Sequence, residues 1–551
     1  MRVAFAIIGI SALLVSPCWA DELLPASQPV EKAVDHYIQA KIDADKIPVA
    51  PQVDDATLIR RLTLDLCGRI PTVPETREFV ESKDPAKRAK LVDRLIASPG
   101  FVRYQASEFD IMLMKDATGG KGRNANLYDY LQKALAENRP WDRIFRELIL
   151  PDDSDAKQKG SSEFLKARLT DLDKLTTEVS VLFLCVNVSC ARCHDHPHVS
   201  DWKQDNFFGM KSFFARTFDN GGFIAERDYG LVKFQTNKGV NKDAKMLFIS
   251  GKTIDAPGMK ELSRDDERKE RERFEEAKKK KVAPPAPKFS ARSAFVDTAL
   301  QPEQRDLFAK AIVNRLWARF FGLGLVNPID QMHSENPPSH PELLAWLARD
   351  TIEYKYDLRR LIRGLVLSQG YSRSSRWESN DDAPPPKYFA VARVRPLTPM
   401  QLANSLRIAT TDPQQFKPRG ESSSPAGPND DFEKKLESLE NSPRGLAANF
   451  EYPGDDFQIG VGEALLFNNS DKLQRDLLAD GTDRLLGRLK QLKDRKEIIE
   501  TAIRTVLCRE PTADEVKLLD DFLSKRAERM PEACRQMVWV LLTGSEFRFN
   551  Y

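Results

Sequence analysis

The chain has 551 residues, of which 41% are hydrophobic and 30% are charged. This length exceeds one ordinary hydrophobic core, so it predicts two or three domains, and the composition is typical of a soluble globular protein. The 84 basic and 82 acidic residues give a net charge of +2 and are mixed along the chain, which argues against nucleic acid as a partner.

Residues 1–20 predict a secretory signal peptide. Arg2 precedes an apolar run over 3–15, and Ala20 ends the segment with a small residue that suits cleavage. Cys18 follows a proline, which fits a lipid-attachment site poorly, so the sequence does not favour a lipid anchor. No later run reaches eighteen apolar residues, so we expect no transmembrane span. The sequence therefore predicts a periplasmic or otherwise exported protein.

Helical periodicity and helix-start signals dominate the mature chain. They predict a mainly α fold, in a multi-domain helical protein. The segments TVPE (72–75), SHPE (339–342) and TADE (512–515) match the capping-box pattern that begins helices. Short runs rich in strand-forming residues predict a small β hairpin or sheet near 222–256.

Two segments of unusual composition predict the domain organisation. A charged and proline-rich segment, 261–290, predicts a linker between an N-terminal domain over 21–260 and a helical C-terminal domain over 291–551. A Pro/Ser/Gly-rich stretch near 412–431 predicts a disordered insert within the C-terminal domain.

The segment CARCHDHPH (190–198) places two cysteines and three histidines within nine residues. Cys190, Cys193 and His194 form the Cys-x-x-Cys-His pattern that attaches c-type haem through two thioethers, with the histidine as axial iron ligand. The predicted export supports this interpretation, because such haem is attached outside the inner membrane. We therefore predict covalent haem c at these residues and electron transfer with a redox partner that the sequence does not identify.

A second interpretation assigns the same segment to zinc or iron, bound by the thiolates and by His194, His196 and His198. That site would make the chain a metal-stabilised binding or scaffold protein, or an uncharacterised metalloenzyme. A disulfide between Cys190 and Cys193 is the third interpretation. The sequence leaves these open, and it contains no Gly-rich phosphate loop, G-x-S-x-G elbow or kinase motif set that would define an enzyme.

A six-coordinate haem iron needs a second ligand from the face opposite His194. The candidates in the sequence are Met112, Met114, Met210, His333 and His340. The other mature cysteines could pair or remain buried and free; they are Cys67, Cys185, Cys508 and Cys534.

Three longer stretches, 58–101, 183–215 and 309–350, carry a family resemblance in this order. They resemble the planctomycete cytochrome-c-like domain followed by its companion C-terminal domain, both of unknown function. The resemblance implies an exported protein with a cytochrome role. That role rests on the Cys-x-x-Cys-His pattern itself, so the resemblance adds no separate support for haem.

The family motif maps onto Cys190, Cys193, His194 and His196. Two positions depart from the family pattern, because His198 replaces a more usual aromatic residue and Cys185 stands where glycine is expected. Both changes enlarge the local set of ligands and favour a metal or disulfide variant. In the companion domain, Asn314 and Arg315 are expected to support the contact between the two domains.

Overall fold

A computed structural model describes residues 23–114, 124–196, 199–255, 261–416, 431–441, 444–450, 452 and 471–551. The fold of these residues is mainly helical, which confirms the predicted class. None of the described helices is long and apolar enough to cross a membrane. The predicted signal peptide and most of the predicted disordered insert lie outside the described residues.

The described helices are numbered in chain order. The first ten are α1 (Val30–Asp45), α2 (Asp55–Cys67), α3 (Val73–Glu81), α4 (Lys87–Ala97), α5 (Pro99–Met114), α6 (Ala125–Ala136), α7 (Trp141–Ile149), α8 (Glu163–Lys166), α9 (Leu172–Leu184) and α10 (Gln204–Ser212). The next eight are α11 (Arg264–Lys280), α12 (Ala291–Leu300), α13 (Arg305–Phe321), α14 (Pro341–Glu353), α15 (Leu358–Leu367), α16 (Pro399–Ala409), α17 (Asp431–Asn441) and α18 (Arg444–Ala447). The C-terminal group is α19 (Asp471–Leu477), α20 (Leu485–Gln491), α21 (Arg495–Leu507), α22 (Ala513–Ser524), α23 (Met530–Thr543) and α24 (Ser545–Arg548). Short 3-10 helices cover Ser189–Arg192, Pro386–Tyr388, Pro413–Gln415 and Ala527–Arg529.

The described strands form three separate two-stranded antiparallel sheets. They are β1 (Thr217–Asn220) with β2 (Phe223–Glu226), β3 (Lys233–Gln235) with β4 (Asn241–Asp243), and β5 (Arg395–Pro396) with β6 (Phe549–Asn550). Gly221 and Gly222 join β1 to β2 with positive φ angles of 71° and 99°, which a two-residue hairpin turn requires. The predicted small sheet near 222–256 is therefore present.

Two of the three predicted capping boxes are confirmed. Thr72 and Thr512 each accept from the backbone N–H of the glutamate three residues later, and that glutamate reaches back to the threonine. The prediction at SHPE is wrong, because α14 begins at Pro341 with His340 as its N-cap. The Ser339 side chain instead forms a hydrogen bond with the His340 ring, at 3.1 Å between Oγ and Nδ1.

The described buried hydrophobic residues form two large clusters. The first extends over residues 30–249 and 291–390, so its members lie on both sides of the predicted linker. The second cluster takes residues 397–547 together with Leu64 and Ile70. Helix α2 contributes to both clusters, and every residue from Leu58 to Cys67 is buried.

The buried charges of α2 are satisfied by distant backbone and side-chain groups. Arg60 donates to backbone carbonyls of the C-terminal segment 546–549. Asp65 accepts from the Tyr371 hydroxyl and the Arg395 guanidinium, both at 2.7 Å. These bonds fasten α2 to residues 371 and 395 and to the last residues of the chain.

The predicted linker contains α11, whose surface is almost entirely charged. Its buried residues are Glu270, Phe274 and Ala277. The Phe274 ring packs edge-on against Phe218 of β1, with ring centroids 5.0 Å apart, and the Phe274 carbonyl accepts from the Asn220 amide. A narrow stripe of α11 therefore packs on the β1–β2 hairpin.

Candidate functional site

The Cys-x-x-Cys-His segment forms a surface turn that follows α9. Residues Ser189–Arg192 make one 3-10 turn, in which Ala191 is fully buried and anchors the backbone. Cys190 and Cys193 point outward; both are exposed and both thiols are free. His194 is also exposed. We call residues 189–194 the Cys-His turn.

Gln204, the first residue of α10, holds the Cys-His turn in place. Its side chain is 4% exposed, and its Nε2 donates to the Cys193 carbonyl at 3.1 Å. Its backbone N–H donates to the Asp195 carboxylate at 3.1 Å, and its Oε1 accepts from the Asn237 N–H at 3.0 Å. One buried amide thus connects the turn, α10 and the β3–β4 hairpin.

The hydrogen bond of His194 selects the tautomer of its neutral ring. Nδ1 lies 2.8 Å from the backbone carbonyl of Asp195. A carbonyl oxygen can only accept, so Nδ1 carries the hydrogen. The neutral ring then presents an unprotonated Nε2, which is the form of imidazole that binds a metal.

His196 has the opposite arrangement. Its Nδ1 accepts from the Val199 N–H at 3.0 Å, and its backbone N–H donates to the Trp202 carbonyl at 2.8 Å. Because Nδ1 accepts, the neutral ring carries its hydrogen on Nε2. These bonds join His196 to Val199 and Trp202, which gives His196 a structural role. His198 lies outside the described residues.

Arg192 supplies positive charge beside one of the thiols. Its hydrogen bond to the Cys193 side chain raises the pKa of the guanidinium, and the charges of Cys193 and Asp173 act in the same direction. Asp173 in turn lies 2.6 Å from the Lys211 ammonium. Within the described part of the chain, no group of three or more His, Cys, Asp or Glu side chains is arranged to hold a metal ion.

The other mature cysteines differ sharply from this pair. Cys67, Cys185, Cys508 and Cys534 are all buried and free. Burial raises the pKa of Cys67 and Cys508 to about 12 and that of Cys534 to about 11. Thiols in such surroundings are inert and pack as small hydrophobic groups.

Cys185, one of the two departures from the family pattern, caps the C-terminus of α9. Its φ of 54° lies in the left-handed region that favours glycine, which gives a physical reason for the glycine expected there. Its thiol donates to the Ala311 carbonyl at 3.6 Å and is fully buried. The side chain therefore packs in the protein core and is not exposed beside the Cys-His turn.

A segment of the C-terminal domain, 330–334, packs against both flanks of the Cys-His turn. On one side the Met332 N–H donates to the Cys185 carbonyl at 2.9 Å. On the other side the Ser334 N–H donates to the Asp201 carboxylate at 3.1 Å. We call residues 330–334 the companion segment.

The predicted interdomain role of Arg315 agrees with the structure, whereas that of Asn314 does not. Arg315 donates to the carbonyls of Val181 and Leu182 at the end of α9. Asn314 instead exchanges two hydrogen bonds with the backbone of Val326 in its own domain. Arg315 therefore joins the helix that precedes the Cys-His turn to α13.

The candidate second ligands lie in different environments. Met210 is fully buried, and the Met114 sulfur accepts from Arg168 at 3.7 Å. His340 is buried against Phe389, and burial lowers its pKa to about 4. Met112 is only partly buried and packs against the first hydrophobic cluster. Of these candidates, His333 is the one that belongs to the companion segment.

Two family models match the chain in succession. Residues 33–219 match the protein of unknown function DUF1549 (PSCyt2), and residues 291–452 match the protein of unknown function DUF1553 (PSD1). The chain belongs to this planctomycete domain pair, which confirms the resemblance seen in the sequence. No curated protein and no solved structure matches the chain.

Of the companion segment, sequence reasoning named only His333 as a candidate ligand, and it did not identify Gln204. Gln204 stands ten residues after His194 in the sequence, and this proximity to the cysteines was the available signal. The packing of this segment on the flanks of the turn has no local signal, because it arises only from tertiary contacts.

Proposed function

We propose that the protein is an exported c-type cytochrome-like electron-transfer protein whose haem is held by Cys190, Cys193 and His194. The observation that carries this proposal is the hydrogen bond between His194 Nδ1 and the Asp195 carbonyl, at 2.8 Å. It leaves Nε2 as the free donor atom that an axial iron ligand needs. Export enters the proposal from the signal-peptide pattern alone.

The donor set suits covalent haem. Cys190 and Cys193 are free, exposed and three residues apart, so both thiols are available for thioether bonds. Gln204 holds the backbone of Cys193, and the sulfur itself remains free to react. When bound, haem supplies reversible one-electron exchange. The turn lies at the surface, where a soluble redox partner can approach it.

The alternative proposal is a zinc or iron ion that stabilises a binding or scaffold protein or serves an uncharacterised enzyme. Two free thiols and His194 provide three donors, and a tetrahedral structural zinc needs a fourth. His196 Nδ1 already accepts the Val199 N–H, so using this nitrogen as a ligand requires that hydrogen bond to break. This cost counts against His196 as the fourth donor.

The test is a reduced pyridine haemochrome spectrum of the denatured, washed chain. The full chain is expressed in a bacterial periplasm with the c-haem maturation machinery. We expect a c-type band in the wild type and loss of that band in Cys193→Ala. Cys534→Ala is the matched control, because it removes a buried cysteine elsewhere in the chain and should keep the band.

The outcomes separate the proposals. A chain without the band but with stoichiometric zinc or iron by elemental analysis would support the alternative. A chain with neither haem nor metal would contradict both proposals. Alkylation before and after reduction would then test the remaining disulfide between Cys190 and Cys193.

A further inference from the structure

His194 lies between two residues that are both bonded to Gln204. On one side, the Gln204 side-chain amide donates to the Cys193 carbonyl at 3.1 Å. On the other side, the Gln204 backbone N–H donates to the Asp195 carboxylate at 3.1 Å. The backbone before and after His194 is therefore tied to the start of α10, and the Asp195 side chain makes the second of these ties.

The Asp195 carboxylate lies at the amino end of α10, the helix Gln204–Ser212. The first N–H groups of a helix have no acceptor within the helix, and a negative charge at this end is favourable. The carboxylate meets both needs, because it accepts from the first N–H of the helix and is negatively charged. The helix therefore gives the Asp195 side chain a fixed point of attachment.

The peptide unit between Asp195 and His196 connects this attachment to the imidazole of His194. Its carbonyl oxygen lies 2.8 Å from His194 Nδ1. Its N–H, which belongs to His196, donates to the Trp202 carbonyl at 2.8 Å. The C=O and N–H of a trans peptide unit point in opposite directions, so whatever holds the unit also sets the direction of the carbonyl. Two contacts hold it, namely the bond to Trp202 and the bond of the Asp195 side chain to Gln204.

The His194 ring needs such a fixed acceptor because it is exposed to solvent. Water can bond to either ring nitrogen, and a neutral histidine side chain in water favours the hydrogen on Nε2. An acceptor held against Nδ1 favours the other tautomer, in which Nε2 is unprotonated. The Asp195 carbonyl is such an acceptor as long as its peptide unit is held in this orientation.

We infer that Asp195 is a positioning residue for the axial ligand His194. Its carboxylate, bonded to α10, keeps its own carbonyl against His194 Nδ1, and this contact leaves Nε2 available to bind iron. This role in iron ligation rests on the proposed function. An acceptor on Nδ1 also makes an imidazole ligand a stronger electron donor, so we expect the contact to lower the reduction potential of the iron.

The first test determines the tautomer of His194 in a full chain made without the haem maturation machinery. The six histidines are labelled with nitrogen-15, and their ring nitrogens are observed by NMR at a pH where histidine is neutral. His194→Gln assigns the signals. We expect the hydrogen on Nδ1 in the wild type and in Asp195→Asn, whose amide oxygen can still accept from the Gln204 N–H. We expect a shift toward hydrogen on Nε2 in Asp195→Ala.

The matched control is Asp205→Ala. Asp205 is the second residue of α10, is exposed and lies 2.9 Å from the Lys242 ammonium, so its loss removes a negative charge from the same helix start without touching His194. This variant should keep the wild-type tautomer. The wild-type tautomer in Asp195→Ala would overturn the inference. A shift in Asp195→Asn as large as that in Asp195→Ala would also overturn it, because the effect would then come from charge and not from the hydrogen bond.

The second test measures the reduction potential of the purified haem-loaded full chain. We expect a higher potential in Asp195→Ala than in the wild type. Asp195→Asn and Asp205→Ala should shift it less, because each removes one charge but keeps the contact at His194 Nδ1. Equal shifts in all three variants would overturn the inference and leave the proposed function intact. A chain without covalent haem would overturn the proposed function and the role in iron ligation, whereas the tautomer test would still decide whether Asp195 orients His194.

Discussion

Helix α2 and the Cys-His turn are both rich in polar residues, but most of the polar side chains of α2 are buried and those of the turn are exposed. In α2 the charged side chains of Arg60, Arg61 and Asp65 are buried and bonded to groups hundreds of residues away. In the turn, the reactive side chains of Cys190 and Cys193 are exposed, and the contact that holds the turn runs to backbone.

This difference distinguishes polar residues that hold the fold together from polar residues that can react or bind a cofactor. A buried charge is retained when partners satisfy it, and it then fixes the relative positions of helices. Side chains that must react or bind a cofactor need access, so their backbone is held while the side-chain atoms remain free. By this criterion α2 is a structural hub, and the Cys-His turn has the arrangement expected of the functional site that we propose.

The largest expected effect is on the hub. Asp65→Ala would leave the partly buried Arg395 guanidinium without its carboxylate and remove the acceptor of the buried Tyr371 hydroxyl. We expect a loss of about 3–5 kcal/mol in the free energy of unfolding, the usual result of breaking a buried ion pair. Urea unfolding followed by circular dichroism measures this loss.

The matched control is an exposed pair. Asp93 lies 2.6 Å from Arg363 with both side chains substantially exposed, so Asp93→Ala should cost about 0–1 kcal/mol. Similar losses for the two variants would mean that α2 is not the structural hub described above.

The next prediction concerns a buried histidine, His340, and the pH dependence of the free energy of unfolding. Burial lowers the pKa of His340 from 6.5 to about 4 in the folded state. As the pH falls from 6.5 to about 4, the unfolded chain binds this proton before the folded chain does, so stability is lost over that window. The free energy of unfolding falls by about 3 kcal/mol once the pH has dropped below both pKa values of His340.

The variant for this test is His340→Gln. Its unfolding free energy should vary less between pH 6.5 and pH 4 than that of the wild type. An unchanged pH profile would show that His340 does not contribute to this dependence.

The smallest effect concerns the backbone support of the turn. Gln204→Ala removes the bond to the Cys193 carbonyl and leaves the Asn237 N–H without its acceptor. We expect a loss of about 1–3 kcal/mol. Amide hydrogen exchange should accelerate in residues 190–196 and remain unchanged in α2. Equal acceleration in both regions would contradict a local role.

Local patterns predicted much of the fold. The threonine capping boxes at Thr72 and Thr512 place the starts of α3 and α22 correctly, because both ends are satisfied by residues within four positions. The prediction failed at Ser339, whose N–H is bound to the distant Leu325 carbonyl and whose hydroxyl contacts His340. Tertiary contacts and the preference of Pro341 for the first helical position shifted that helix start by one residue.

The site was only partly predictable for the same reason. Cys190, Cys193 and His194 stand together in sequence, so their shared chemistry is visible there. The bond between Asn187 and Asp330 joins residues 143 positions apart, and no local pattern reports such a contact. The tautomers of His194 and His196 also depend on backbone groups that only the fold brings within reach.

The central claim, that the Cys-His turn carries covalent haem, is tested most directly by locating the attachment. Arg192 lies between the two cysteines, so trypsin separates residues 175–192 from residues 193–203. Mass spectrometry of the reduced digest should find these two peptides joined through one haem. Recovery of the two peptides as separate, unmodified species from a chain produced with the maturation machinery would contradict the account.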